Sequence, residues 1–162
     1  MSRKKVQTSV IVGSVLVAYV LTIVPLPEAV SPLRPYWIAM VLIFWCIETP
    51  GRIGMGAGFV TGLGVDLLTG SLLGQHAMGL VVLTFLTSKF RLRMRFFPLW
   101  QQALMVLAIL VNDRVVMLWI SGLAGQPLPD WRFWVPPVLA MIIWPWLFLL
   151  LDEFSQRFKA RA

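Results

Sequence analysis

What most constrains this chain is the way its charges are ordered: long apolar runs alternate with short clusters of cations. Arg3, Lys4 and Lys5 open the chain, Lys89, Arg91, Arg93 and Arg95 form a central block, and Arg157, Lys159 and Arg161 close it. A soluble fold spreads charge over every exposed face and uses about a quarter of its residues to do so. Here only 13% of residues are charged against 59% hydrophobic, so a water-facing shell cannot be built and the chain is expected in a bilayer. A span takes about 20 apolar residues, so the 162 residues allow about six helices and leave no material for a soluble catalytic domain. The net charge of +7 would suit nucleic acid if the cations shared one face. Clusters between apolar runs mark cytoplasmic loops instead, and no nucleic-acid partner is expected. Cys46 is the single cysteine and lies inside an apolar run, which excludes an internal disulfide.

Residues 6–24 read as the first helix, because the run is long for a signal core and Pro25, Pro27 and Glu28 stand where a cleavage site would need small residues. The second helix is expected at 36–49, with Pro35 at its start and Pro50 and Gly51 after its end. The stretch 53–88 carries no basic residue and is too long for one span. A turn near 70–75 would divide it into helices 53–69 and 76–88, and a broken or re-entrant segment is the alternative. Helices 98–121 and 133–151 complete the set, with Pro145 predicted to kink the last. The expected fold is therefore all-α, a single polytopic membrane domain over 1–162 with six transmembrane helices. Six spans place both termini on one side, together with Arg52 and the block 89–95, against only Arg34 and Arg132 opposite. The positive-inside rule makes the cation-rich side cytoplasmic.

Gly54, Gly58, Gly62, Asp66, Gly70 and Gly74 recur every four residues. Four residues turn an α-helix by about 400°, so these positions trace one shallow groove that lets another backbone approach. The groove serves either packing within this chain or docking of a partner's transmembrane helix. Asp66, Asn112, Asp113 and Arg114 form a small set expected to be buried. Asp113 and Arg114 point about 100° apart and cannot pair with each other, so each is expected to seek a partner on another helix, with Asp66 and Arg114 as the preferred pair. The block Lys89, Arg91, Arg93 and Arg95 is expected as a cytoplasmic loop facing anionic lipid, with contact to cytoskeletal filaments as a further possibility.

Catalytic and ligand signatures are missing. There is no H-E-x-x-H helix, no G-x-S-x-G elbow and no phosphate-binding loop, and His76 has no metal-ligand cluster in the sequence around it. No enzyme activity, metal or cofactor is expected. A small-molecule transporter subunit is the competing reading and would need a cavity lined by convergent polar groups.

The segment 58–77, GFVTGLGVDLLTGSLLGQHA, with Arg34-Pro35-Tyr36-Trp37 and Pro50-Gly51-Arg52-Ile53-Gly54 ahead of it, resembles the bacterial rod shape-determining MreD family. Gly58, Gly62, Asp66, Gly70, Gly74 and His76 match its signature, with no catalytic role implied. The resemblance implies a multi-pass protein of the bacterial inner membrane, in the machinery that elongates the cell wall. Its partners would be MreC and, through the complex, MreB, RodA and a class B penicillin-binding protein. It also implies a fold similar to the substrate-binding subunits of vitamin transporters.

Overall fold

A computed structural model describes residues 3–160, with side chains from Gln7 onward. The cations Arg3, Lys4, Lys5 and Arg161 therefore lie outside the described side chains. Among the described residues there are six α-helices and no strand: α1 (Arg3–Ile23), α2 (Trp37–Glu48), α3 (Met55–Thr69), α4 (Gln75–Phe96), α5 (Leu99–Leu123) and α6 (Val135–Ala160). Short 3-10 turns, Ser31–Leu33 and Trp131–Trp134, precede α2 and α6.

The shortest helix is the core. α2 is apolar on every side, and a helix apolar all round belongs in an interior. Every residue from Ile38 to Ile47 is buried, and α2 packs against α1, α4, α5 and α6. Its 12 residues rise only about 18 Å, less than a bilayer's apolar thickness, but its neighbours enclose it. Indole groups tie the layers together. Trp45 Nε1 donates to Ser14 Oγ of α1 at 2.8 Å, and Trp144 Nε1 of α6 donates to Gln102 Oε1 of α5 at 3.3 Å.

The outside is as apolar as the inside. Leu16 and Val20 of α1, Val60 and Leu67 of α3, Trp119 and Leu123 of α5 and Trp146 of α6 are all exposed. Water would drive such a surface to aggregate, whereas acyl chains cover it without cost. By length and composition α5 and the segment Trp131–Ala160 are each sufficient to cross a membrane, while Gln7–Ile23 and Met55–Thr69 are shorter apolar helices.

The basic block departs from the expected loop. Lys89, Arg91, Arg93 and Arg95 lie on the last two turns of α4, and only Phe97 and Pro98 separate α4 from α5. Proline disfavours a helical residue before it, which fixes Phe97 as extended (ψ 144°) and sets the end of α4. Met94 is fully buried and anchors that last turn, and Gln102 Nε2 donates to the carbonyls of Met94 (2.8 Å) and Phe97 (3.3 Å). Arg93 and Arg95 then sit at the negative end of the helix dipole, where cations are stabilised. At the other end of α4 its first residues meet the ends of α1 and α3 and the starts of α2 and α6. Thr22, Tyr36, Thr69, His76 and Pro136 line one cavity there.

Candidate functional site

The periodic glycines separate into three kinds. A Cβ at Gly58 would stand 2.6 Å from the Leu80 carbonyl oxygen, and one at Gly62 would stand 2.6 Å from Ala77 N and 2.7 Å from His76 O. These two glycines are what lets the backbones of α3 and α4 touch. Gly70 (φ +65°) and Gly74 (φ +99°) are off the helix, in the left-handed conformations that turn the chain from α3 into α4. Gly54 precedes α3 with nothing within 4 Å of an added Cβ. The expected continuous groove is thus a closed hairpin contact at Gly58 and Gly62 and a turn beyond it. The surface it forms is covered by this chain's own α4.

Asp66 is the hub of that hairpin. Its side chain is fully buried, and Oδ1 accepts from Ser71 Oγ (2.8 Å), His76 N (3.0 Å) and His76 Nδ1 (2.8 Å). Oδ2 accepts from Gly74 N at 2.8 Å and Ala77 N at 3.4 Å. The first amides of any helix lack intrahelical partners and carry the positive end of its dipole, and Asp66 supplies the carboxylate that satisfies both needs for α4. The expected pair of Asp66 with Arg114 is not formed. The carboxylate's acceptor positions are filled from its own hairpin, by residues 5 to 11 positions ahead.

Ser71, His76 and Asp66 are the residue types of a hydrolytic triad, but their geometry is different. Ser71 Oγ lies 3.2 Å from His76 Nδ1, the same nitrogen that meets Asp66 Oδ1 at 2.8 Å. A relay needs the hydroxyl on one ring nitrogen and the carboxylate on the other. Since a carboxylate only accepts, Nδ1 carries the hydrogen in this pair and cannot take one from Ser71. Ser71 donates to Asp66 instead, and the three side chains form a latch.

The other expected buried polar groups divide. Asp113 is 1% exposed, and neither of its oxygens has a hydrogen-bond partner among the described residues. Its Oδ1 points at Gly79 of α4, where a Cβ would overlap it. Arg114 is half-buried and finds aromatic faces in place of a carboxylate, with its guanidinium carbon 4.7 Å from the Phe133 ring centroid and 5.4 Å from that of Tyr36. Asn112 is exposed and not part of a buried set. Two glycines that pattern reading did not single out, and one arginine that it read only as a topology marker and motif residue, complete the contacts. Gly64 gives room to the Tyr19 ring, whose hydroxyl donates to Thr61 O at 2.6 Å, and Gly79 gives room to Asp113. Arg34 donates to the carbonyls of Thr22 and Val24 and so caps the C-terminus of α1.

These contacts concentrate in the segment that the family signature covers, and a model of the family described as rod shape-determining protein MreD matches residues 2–154. The chain belongs to the MreD family. The rod shape-determining protein MreD of Haemophilus influenzae is 29% identical over 144 residues, which are 89% of each chain. No solved structure matches. The MreD family serves rod-shape determination and is not known for enzymes. The residues that carried the resemblance, Gly58, Gly62, Asp66, Gly70, Gly74 and His76, all belong to the α3–α4 hairpin, as packing glycines, turn glycines, cap and latch.

A second surface feature lies on the far side of α2. Where α1 and α6 diverge, a cleft of about 970 Å³ opens, floored by Trp37 and Val41 of α2 and walled by Gly13, Ala18, Leu147 and Phe154. Nothing lies within 4 Å of a Cβ placed on Gly13.

Proposed function

We propose that this chain is a non-catalytic scaffold of the cell-elongation machinery in the bacterial inner membrane, and that the α1–α6 cleft receives the transmembrane helix of MreC. In this reading the six helices all serve as spans of one polytopic domain. Both termini are cytoplasmic, and the arrangement around α2 is akin to the substrate-binding subunits of vitamin transporters. The cleft is the observation that carries the proposal. It is apolar, open along one side, and lined on α1 by Gly13, where nothing blocks the close approach of a helix in a setting in which the hydrophobic effect gives no drive. Gly58 and Gly62 of α3 cannot serve this purpose, because α4 already occupies them.

MreC held in the cleft would link the chain to MreB, RodA and a class B penicillin-binding protein, and so support lateral peptidoglycan synthesis and cell shape. Lys89, Arg93 and Arg95 are exposed around the end of α4, with Arg91 half-buried beside them. In the cytoplasmic headgroup layer each would gain about 1 kcal/mol from anionic lipid.

The test is substitution within the cleft. Gly13→Leu and Val17→Trp, both at exposed positions of α1 that line the cleft, fill it without touching the α3–α4 hairpin. Membranes carrying either variant should hold the protein at normal levels, fail to retain MreC in a pull-down, and give rounded cells. Retention of MreC by both variants at wild-type levels would refute the assignment of the cleft.

A further inference from the structure

The cavity at the end where α4 begins is built from donors. It measures about 280 Å³, below the roughly 300–1,000 Å³ of clefts for drug-sized ligands, and suits a small polar group better than a whole cofactor. Arg34, Arg114 and Arg132 all line it, along with Tyr36 and His76. These three arginines are the only cations of the chain that lie neither near the termini nor with Arg52 and the block 89–95. All three converge on one cavity although they are far apart in sequence.

No carboxylate forms an ion pair with any of the three among the described residues. Of the acids nearby, Asp66 is filled by its hairpin donors and Asp130 accepts from Trp131 N at 2.7 Å, while Asp113, next to Arg114 in the chain, neither lines the cavity nor forms an ion pair with it. Two donor groups are buried without a partner, the Tyr36 hydroxyl and the Arg34 Nε. Tyr36 is only 9% exposed, so water does not readily satisfy its hydroxyl. Arg34 spends its terminal nitrogens on the α1 carbonyls, but its Nε, the Tyr36 hydroxyl and the guanidinium groups of Arg114 and Arg132 have no oxygen acceptor among the described residues, and like charges around a small space repel unless an anion sits among them. Guanidinium groups can only donate, in a planar fork that fits an oxyanion, so a phosphate answers both demands. Trp131 and Trp134 are exposed at this end, as expected of residues in the headgroup layer of a membrane.

We infer that this cavity binds a phosphate group, carried either by an anionic phospholipid headgroup or by a small free phosphate. The site is separate from the α1–α6 cleft, so its failure leaves the scaffold proposal standing, and the reverse also holds.

The experiment uses the purified full-length protein in neutral detergent. One arm titrates inorganic phosphate by calorimetry, and the other titrates phosphatidylglycerol against a phosphatidylcholine background and counts bound lipid by native mass spectrometry. Saturable binding of one equivalent is expected in one arm, and that arm identifies the source. Arg132→Gln removes one fork from an exposed position and should weaken binding about tenfold or more. Tyr36→Phe, nearly isosteric, should weaken it several-fold, and it keeps the test decisive if Arg132→Gln fails to fold. Arg157→Gln, at an exposed cation paired with Glu153 near the end of α6, should leave the affinity unchanged. The inference is overturned if neither probe binds saturably, if Tyr36→Phe and any folded Arg132→Gln bind within twofold of wild type, or if Arg157→Gln weakens binding as much as they do.

Discussion

Asp66→Asn is the sharpest probe of the hairpin, because it changes charge and acceptor count while leaving volume almost untouched. The amide keeps one oxygen and replaces the other with a donor. The less costly orientation puts the nitrogen on the Oδ2 side, since the Oδ1 side holds Ser71 Oγ, His76 N and His76 Nδ1. Gly74 N–H then faces a donor instead of an acceptor at 2.8 Å, and the longer bond from Ala77 N is lost with it. Leaving a buried donor unsatisfied costs about 1–3 kcal/mol. Loss of a negative charge at the start of α4 adds about 0.3–2 kcal/mol, given its partly buried geometry. The surviving bonds also weaken, from charge-assisted to neutral, by about half. The first two come to about 1.3–5 kcal/mol, and the weakened bonds put the expected destabilisation in the upper part of that range, about 3–5 kcal/mol. Denaturant unfolding of the purified protein in micelles measures it, with Ser71→Ala as a companion expected to lose about 1 kcal/mol, one hydrogen bond's worth. A loss below about 1 kcal/mol for Asp66→Asn would refute the claim that this carboxylate caps α4.

Other substitutions follow from the same geometry. Gly62→Ala forces a Cβ against the backbone of Ala77 and His76 and should destabilise by about 1–3 kcal/mol, as overpacking does, while Gly54→Ala should be neutral within about 0.5 kcal/mol in the same unfolding assay. Gly70→Ala must hold an alanine at φ +65° and should lose about 1–2 kcal/mol, visible as a lower midpoint with an unchanged denaturant slope. Asp113→Asn removes an unpartnered buried carboxylate and should leave stability equal or higher, whereas Gly79→Ala pushes on Asp113 Oδ1 and should lower it; thermal melts of the two should move in opposite directions.

Six helices were legible in the alternation of apolar runs with cations and prolines, but the burial of each face was not. In a soluble helix one side is polar, and the stripe on the other marks the core. Here the lipid-facing side is as apolar as the packed side, so sequence periodicity could not tell that Asn112 is exposed while Asp113 beside it is buried. The four-residue spacing of the glycines was plain, but it continued past the end of α3 and concealed that Gly70 and Gly74 serve a turn. Asp66 was misassigned to Arg114 because a lone buried acid suggests a cation on another helix. Its hairpin instead offers backbone amides, which no residue type announces. The basic block reads as a loop because a cluster of cations between two apolar runs usually marks the cytoplasmic connection between spans. Here α4 simply continues, with three of the four side chains exposed on its last turns.

The central claim is that the chain's partner-binding surface is the α1–α6 cleft and that Gly58 and Gly62 of α3 belong to the chain's own core. Site-directed cross-linking in intact membranes tests it most directly, with a photoreactive residue in place of Gly13 or Leu147 in the cleft, or in place of Phe59 or Val60 on the exposed face of α3. The account predicts an adduct with the single transmembrane helix of MreC from Gly13 and Leu147 and none from Phe59 or Val60. Adducts from α3 with none from the cleft would contradict it.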